Sequence, residues 1–115
     1  MTFDDGILKI YDVKDISEPG MKPVAGLVYK SSHYFGYETV GITRYYTAMQ
    51  ANNKISELVH IWQDRSITTQ NICVMEDGQQ YKCQFVQHTK DENGLLITKI
   101  TLERLNENYV IREDL

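Results

Sequence analysis

Histidine and cysteine are the side chains of this chain best suited to metal binding or nucleophilic catalysis, yet their spacing matches neither use. His33, His60 and His88 lie more than twenty residues apart, whereas zinc motifs bring ligands within about five residues of each other. Cys73 and Cys83 lack the flanking motif of a catalytic thiol, and the sequence contains no phosphate-binding glycine loop or GxSxG segment. The sequence therefore predicts no catalytic residue, no metal, no cofactor and no enzymatic activity.

Aromatic residues are concentrated in one stretch, which could instead serve binding. Five of them fall within thirteen positions: Tyr34, Phe35, Tyr37, Tyr45 and Tyr46. They could pack in the core and loops, or they could form a contact surface, because tyrosine combines apolar area with a hydroxyl group and is enriched at protein interfaces. A surface that stacks nucleic-acid bases would interleave these rings with basic residues, and only Lys30 and Arg44 are close.

Two turn sequences indicate how the C-terminal half is arranged. Asp77-Gly78 and Asn93-Gly94 are typical of two-residue type I′ loops between antiparallel strands. Such loops predict a three-strand meander whose core face carries Ile72, Val74, Tyr81, Cys83, Phe85, Leu96, Ile100 and Leu102. Cys73 then falls on the opposite, wet face, so we expect two free thiols on different sides of the sheet.

The remaining elements are shorter and less regular. We expect strands at residues 7–13, 24–30, 40–46 and 58–63, with the second at a sheet edge because Pro23 precedes it. Residues 17–23 form a proline-containing loop, residues 31–41 an irregular exposed connection, and Asn52-Asn53 a loop or short helical turn. We expect the polar end of the chain to cross back over the sheet through residues 109–111. The pattern predicts an all-β fold: a small antiparallel β-barrel of five to six strands with at most one short helix.

Composition is that of a single soluble domain covering residues 1–115. Hydrophobic residues make up 42% of the chain and charged residues 24%, values that disfavour disorder. The net charge of -4, with lysine and arginine scattered, disfavours tight nucleic-acid binding. No apolar run is long enough to cross a bilayer, and the acidic start is unlike a signal peptide. We therefore expect a cytoplasmic protein that is not secreted and has no membrane partner.

The order of these elements resembles the small head-closure, or head-tail connector, proteins of long-tailed bacteriophages and of prophages in Gram-positive bacteria. The resemblance runs from Tyr37 to Leu105 and rests on VGITRYYTAMQANNKISELVHIWQDRSI followed by NICVMEDGQQYKCQFVQHTKDENGLLITKITLERL. Its landmarks are an arginine-aromatic strand, a strand at residues 58–61, a turn at Ile67, a hairpin marked by Asp77, Gly78 and Tyr81, and a last strand ending in Leu-Glu-Arg.

The resemblance implies a non-enzymatic structural subunit of an oligomeric ring below the portal or adaptor, which closes the DNA-filled head and provides the tail docking surface. Its implied partners are other copies of itself and the portal, adaptor and tail proteins, while DNA only passes through the channel. The implied location is the host cytoplasm during virion assembly and then the head-tail junction. A monomer in solution is compatible with this role, because a ring that assembles on the preassembled head leaves the free protein monomeric. A tail-completion or terminator protein of the same particle, and a small OB-like nucleic-acid-binding barrel, are the alternatives.

A ring of identical subunits needs two different contact patches on each copy. Aromatic density suggests Tyr34, Phe35, Tyr37 and Tyr46 for one patch. The exposed hairpin tip from Met75 to Gln80, or the C-terminal tail, is the candidate for the other. A mobile channel loop, found in some members of the family, would correspond to residues 31–53, with Gly36, Gly41, Gln50, Asn52 and Asn53 as its candidate residues.

Overall fold

The computed structural model describes residues 3–38 and 55–112, and within them seven strands form one sheet and no residue is helical. The strands are β1 (Gly6–Asp15), β2 (Ala25–Tyr37), β3 (Ile55–Trp62), β4 (Ile72–Val74), β5 (Gln80–Lys90), β6 (Leu96–Arg104) and β7 (Val110–Arg112). Their order is β1-β4-β5-β6-β3-β2, and β2 pairs again with β1, which closes a six-stranded antiparallel ring. The predicted all-β, barrel-like fold with its β4-β5-β6 meander is confirmed.

Strand β2 is longer than the sequence pattern predicted. Residues 31–37 continue the strand and do not form an irregular connection: Gly36 faces His60, and Tyr37 faces Val59 in β3. Residues 26–28 pair with β1 on one side and with β7 on the other, so β2 is not an edge strand. Gly36, expected in a channel loop, is therefore a buried strand residue. The predicted strand at 40–46 and the turn at Asn52-Asn53 lie outside the described residues.

Both predicted hairpins are present, but each has a loop of three residues where two were predicted. The Met75 N–H donates to the Gln79 carbonyl at 3.1 Å, and the Asp91 N–H donates to the Leu95 carbonyl at 2.9 Å. A type I′ loop requires positive φ at both central residues. Among the described residues only glycines have positive φ, including Gly78 at 83° and Gly94 at 82°. This is the pattern of a type I turn followed by a left-handed glycine.

The extra loop residue shifts the strand register by one and moves side chains to the other face. Cys73 pairs with Tyr81 where Val74 was expected, so Cys73 lies inside the barrel and its predicted wet position is wrong. A bulge between Cys83 and Phe85 turns Phe85 outward. The predicted burial of Phe85 and Leu96 is therefore also wrong, whereas Cys83, Ile100 and Leu102 are fully buried as expected.

Apolar side chains form two clusters, one inside the barrel and one outside it. The inner cluster contains Leu8, Ile10, Phe35, Val59, Ile61, Ile67, Cys73, Cys83, Ile100 and Leu102, with Tyr81 packed against it. The outer cluster contains Tyr11, Leu27, Ile72 and Val74, covered by Leu105, Tyr109 and Ile111 from the C-terminal segment. Strand β4 is consequently buried on both faces. The predicted return of the chain end over the sheet is confirmed, and it finishes as β7, parallel to β2.

Candidate functional site

The structure divides the predicted aromatic patch between surface and core. Tyr34 and Tyr37 are 63% and 47% exposed, whereas Phe35 is 3% exposed. Successive residues of a strand point to opposite faces, which places Phe35 inside the barrel and corrects its assignment to the contact surface. Its ring supports Tyr37 edge-to-face, with centroids 5.2 Å apart. Tyr46 and the loop candidates Gly41, Gln50, Asn52 and Asn53 lie outside the described residues.

Tyr37 belongs to an acidic end of the barrel, formed with Asp5, Glu57, Asp77 and Tyr81. The Asp5 carboxylate accepts the Tyr37 backbone N–H at 2.8 Å. Burial and then the Glu57 carboxylate raise the pKa of the Tyr37 phenol, and burial and then the Asp77 carboxylate raise the pKa of Tyr81. Burial also raises the pKa of Glu57. Both phenols therefore stay protonated at neutral pH beside negative charge, an environment that repels phosphate.

The two named residues of the second predicted patch, Met75 and Gln80, are engaged within the molecule, whereas residues 76–78 at the tip are exposed. Gln80 is buried, and its side chain is fastened to the backbone of Tyr109: Nε2 donates to the carbonyl at 2.9 Å and Oε1 accepts the N–H at 2.8 Å. Met75 is half-buried and packs against the inner cluster. Glu76 at the tip accepts the Ile7 N–H at 2.6 Å. Met75 and Gln80 thus offer little free surface, and Gln80 anchors the C-terminal segment.

An exposed apolar surface that the predicted register concealed lies on the outside of β2, β3, β6 and β5. In β6, Thr101 faces Leu58 on one side and Phe85 on the other, and Ile97 faces Trp62. Thr101 and Ile97 lie four residues apart on the same side of β6, so Phe85 and Trp62 share one outward face of the sheet. Trp62 is 51% exposed and Phe85 61% exposed. Tyr34 lies one position beyond the Phe35–Ile61 pair, next to Trp62. We call the exposed rings of Tyr34, Trp62 and Phe85, together with Phe3, the aromatic face.

The N-terminal residues complete the aromatic face. Phe3 stacks on Trp62 with centroids 4.4 Å apart and an interplanar angle of 12°, and it meets the buried His60 ring edge-on at 5.0 Å. Behind the rings, the Glu38 carboxylate lies 3.6 Å from His60 Nδ1 and 3.5 Å from Lys99 Nζ. The Lys99 distance fits an ion pair better than a direct hydrogen bond. The aromatic face therefore has a fixed, partly charged support.

A second exposed apolar surface lies at the other end of β2. Val24 and Val110 are 47% and 61% exposed, and we call this pair the valine end. Val110 faces Gly26 from β7, and Val24 lies two residues before Gly26 on the same side of the chain, whereas Val13 faces Leu27 on the opposite side. Tyr34 lies eight positions after Gly26 along β2, a path of roughly 26 Å in an extended strand. The aromatic face and the valine end are thus separate surfaces of one subunit.

Ser31, His33 and Asp64 have the composition of a hydrolytic triad but not its geometry. His33 Nε2 lies 3.0 Å from Ser31 Oγ and 3.2 Å from Asp64 Oδ2. In a catalytic triad the serine and the carboxylate contact different ring nitrogens, which orients the imidazole for proton transfer. Here both contact the same nitrogen. Asp64 also accepts the Ser66 hydroxyl at 2.6 Å and its N–H at 3.0 Å, so the group fastens a turn to β2.

The thiols of Cys73 and Cys83 are free and fully buried, with Sγ atoms 3.2 Å apart. Their free state agrees with the sequence prediction, but their predicted separation on opposite faces is wrong because the hairpin register differs by one residue. The contact with Cys83 and burial raise the pKa of the Cys73 thiol well above its usual value. Within the described ranges, no group of three or more histidine, cysteine or acidic side chains could hold a metal ion.

Comparison with known proteins gives no relative from which a function could be transferred. No model of a known family matches the chain, and no curated protein matches it. In residues 3–38 and 55–112 there is no helix long and apolar enough to cross a membrane. The function is therefore argued from the two exposed surfaces and the acidic barrel end.

Proposed function

We propose that this chain is a non-enzymatic structural subunit of a phage or prophage head-tail connector. Identical copies form a ring below the portal or adaptor, close the DNA-filled head and present the surface on which the tail docks. The resemblance of residues 37–105 to head-closure proteins supports this role. So does the closed six-stranded barrel, which leaves few unpaired strand edges to aggregate.

The observation that carries the proposal is the presence of two different apolar surfaces on one small domain. Ring contacts between identical subunits are heterologous, so one patch of each copy meets a different patch of the next. The aromatic face and the valine end differ in shape and composition and lie at opposite ends of β2. We assign the aromatic face to one ring contact and the valine end to its complement.

Electrostatics support a channel in which DNA passes without being held. The acidic barrel end carries Asp5, Glu57 and Asp77, and the chain has a net charge of -4. Tight binding of DNA requires clustered lysine and arginine that neutralise phosphates. A subunit of this charge would let DNA slide past, and it disfavours the OB-like nucleic-acid-binding alternative.

The proposal is tested by virion assembly in the phage or prophage whose genome encodes this chain. The double variant Trp62→Ser/Phe85→Ser removes two exposed rings of the aromatic face while leaving the inner cluster intact. We expect filled or leaking heads and separate tails in negative-stain images, in place of joined virions. Gln87→Ala, on the same side of β5, is the matched control and should assemble normally.

Two outcomes would contradict the connector assignment. One is normal virion yield from the double variant when its folded fraction equals that of the parent chain. The other is that the gene encoding this chain lies away from capsid and tail genes. Accumulation of joined particles with overlong or unfinished tails would instead point to the tail-completion role, which uses the same kind of ring contact.

A further inference from the structure

Cys73 and Cys83 occupy a critical position in the barrel. The ring of strands closes through β4, which contributes only three residue pairs to β1 and three to β5. The neighbouring β5–β6 and β3–β6 ladders are much longer. The two thiols lie across the short β4–β5 joint, Cys73 on β4 and Cys83 on β5. A covalent link between them would strengthen one of the three shortest pairings in the barrel wall, each of which has three residue pairs.

Cys73 faces Tyr81, so Cys83 is its diagonal neighbour on β5, and the two sulfur atoms nevertheless lie close together. The Sγ atoms are 3.2 Å apart, and a disulfide bond requires about 2.05 Å. An approach of about 1 Å, shared between two side-chain rotations and a small strand movement, closes the difference. The described structure offers the thiols no competing use, because no metal-ligand cluster includes them and the inner cluster around them is otherwise apolar.

We propose that Cys73 and Cys83 are a modification site, at which a small-molecule disulfide converts the thiol pair into an intramolecular disulfide that locks β4 onto β5. The inference does not depend on the connector function. It concerns the barrel itself and applies to any role that the domain performs.

The chemistry is thiol–disulfide exchange in two steps. The thiolate of one cysteine attacks a sulfur of the small disulfide, forms a mixed disulfide and releases one small thiolate. The thiolate of the second cysteine then attacks the protein sulfur of that mixed disulfide and releases the second small thiolate. The two protons lost by the cysteines end on the two released thiols, so the protein pair is oxidised and the reagent is reduced.

Burial makes the first step slow and the second fast. Both thiols are inaccessible in the closed barrel, so the reagent can reach them only when β4 separates transiently from β5. The few hydrogen bonds of β4 make such local opening the natural route. Once one cysteine is a mixed disulfide, its partner is already adjacent, and the high effective concentration favours ring closure.

The test uses the purified, reduced full-length chain incubated with hydroxyethyl disulfide under native conditions. Aliquots are denatured, alkylated with iodoacetamide and weighed by mass spectrometry. We expect both thiols to be lost together, in a monomer whose mass falls by that of two hydrogen atoms. Peptide mapping should place the bond between Cys73 and Cys83. The locked form should unfold at a higher temperature than the reduced form, by roughly 10 °C for a loop of this size.

Single variants separate this outcome from general thiol reactivity. Cys73→Ala and Cys83→Ala should each stop at the mixed disulfide, and neither should gain stability from the reagent. Three results would overturn the proposal. These are disulfide-linked dimers, a mixed disulfide that persists in the parent chain, or two thiols that native protein still keeps reduced after prolonged incubation with excess reagent. A locked form that melts at or below the temperature of the reduced form would refute the stabilising role.

Discussion

The clamp between Gln80 and Tyr109 gives the sharpest prediction about stability. Its two hydrogen bonds, of 2.8 and 2.9 Å, join the Gln80 side chain to both backbone groups of Tyr109. They hold the C-terminal segment over Ile72 and Val74. In Gln80→Ala the Tyr109 N–H and carbonyl lose these partners at a half-buried position, where water replaces them only in part.

The expected loss is about 2 kcal/mol, taking about 1 kcal/mol for each net hydrogen bond. For a domain of this size that corresponds to a decrease of roughly 1 M in the urea midpoint. Hydrogen exchange should show faster exchange of the Tyr109 and Ile111 amides than in the parent chain, because the segment opens locally before the barrel unfolds.

The control is Gln87→Ala, which removes an exposed glutamine from the same strand. It should alter the free energy of unfolding by less than about 0.5 kcal/mol. The reasoning fails if Gln80→Ala is as stable as Gln87→Ala, or if the amides of the C-terminal segment keep their protection when the clamp is removed.

Three further predictions concern the turn, the core and the acid limit of stability. Gly78 has a φ of 83° with open space where a Cβ would lie. Gly78→Ala should therefore destabilise the domain by about 1 kcal/mol in urea unfolding, through backbone strain alone. An unchanged urea midpoint would exclude the three-residue loop. Phe35→Ala should cost about 3 to 4 kcal/mol and Phe85→Ala less than about 1 kcal/mol, and equal costs in thermal unfolding would contradict the register that buries only Phe35. Burial acts to raise the pKa of Asp64, but the Ser66 hydrogen bonds and the nearby His33 and Lys30 outweigh it and leave this pKa below its ordinary 3.8. The ionised Asp64 carboxylate therefore stabilises the fold above pH 3.8, and this stabilisation is lost as the pH falls through the lower folded-state pKa. The free energy of unfolding of Asp64→Asn, measured as the pH is lowered, should therefore lack this loss of stability. If it falls with pH in parallel with that of the parent chain, Asp64 makes no such contribution.

The positions of both hairpins could be predicted from the sequence, but their loop lengths could not. An Asp-Gly or Asn-Gly pair suits a two-residue loop and also suits a three-residue loop in which only the glycine is left-handed. The apolar pattern could not decide between them at β4, because Ile72, Cys73 and Val74 are all apolar and all buried. Both faces of β4 are covered, so the usual alternation of buried and exposed residues is absent there.

Long-range contacts explain the other differences. Gln80 looked like an exposed hairpin residue because its partner, Tyr109, is 29 residues away along the chain. Gly36 looked like part of a loop because the glycine and aromatic residues around it show no period. Its strand conformation depends on pairing with His60 of β3, a contact that no local pattern in residues 31–37 encodes. The sequence predicted where both hairpins turn and where most of the strands lie, whereas the partners of Gly36 and Gln80 are set by tertiary packing.

The outward position of Phe85 links the fold to the proposed interface. Cys83 points into the barrel, and regular alternation would place Phe85 there as well. The bulge between the two residues turns the ring outward and leaves it 61% exposed. Fully burying a phenylalanine side chain contributes about 1.5 to 3 kcal/mol, so the isolated domain gives up roughly 1 to 2 kcal/mol at this position. A neighbouring subunit that covers Phe85 and Trp62 would recover that free energy on assembly, which makes the aromatic face, and not the hairpin tip, the surface to substitute first.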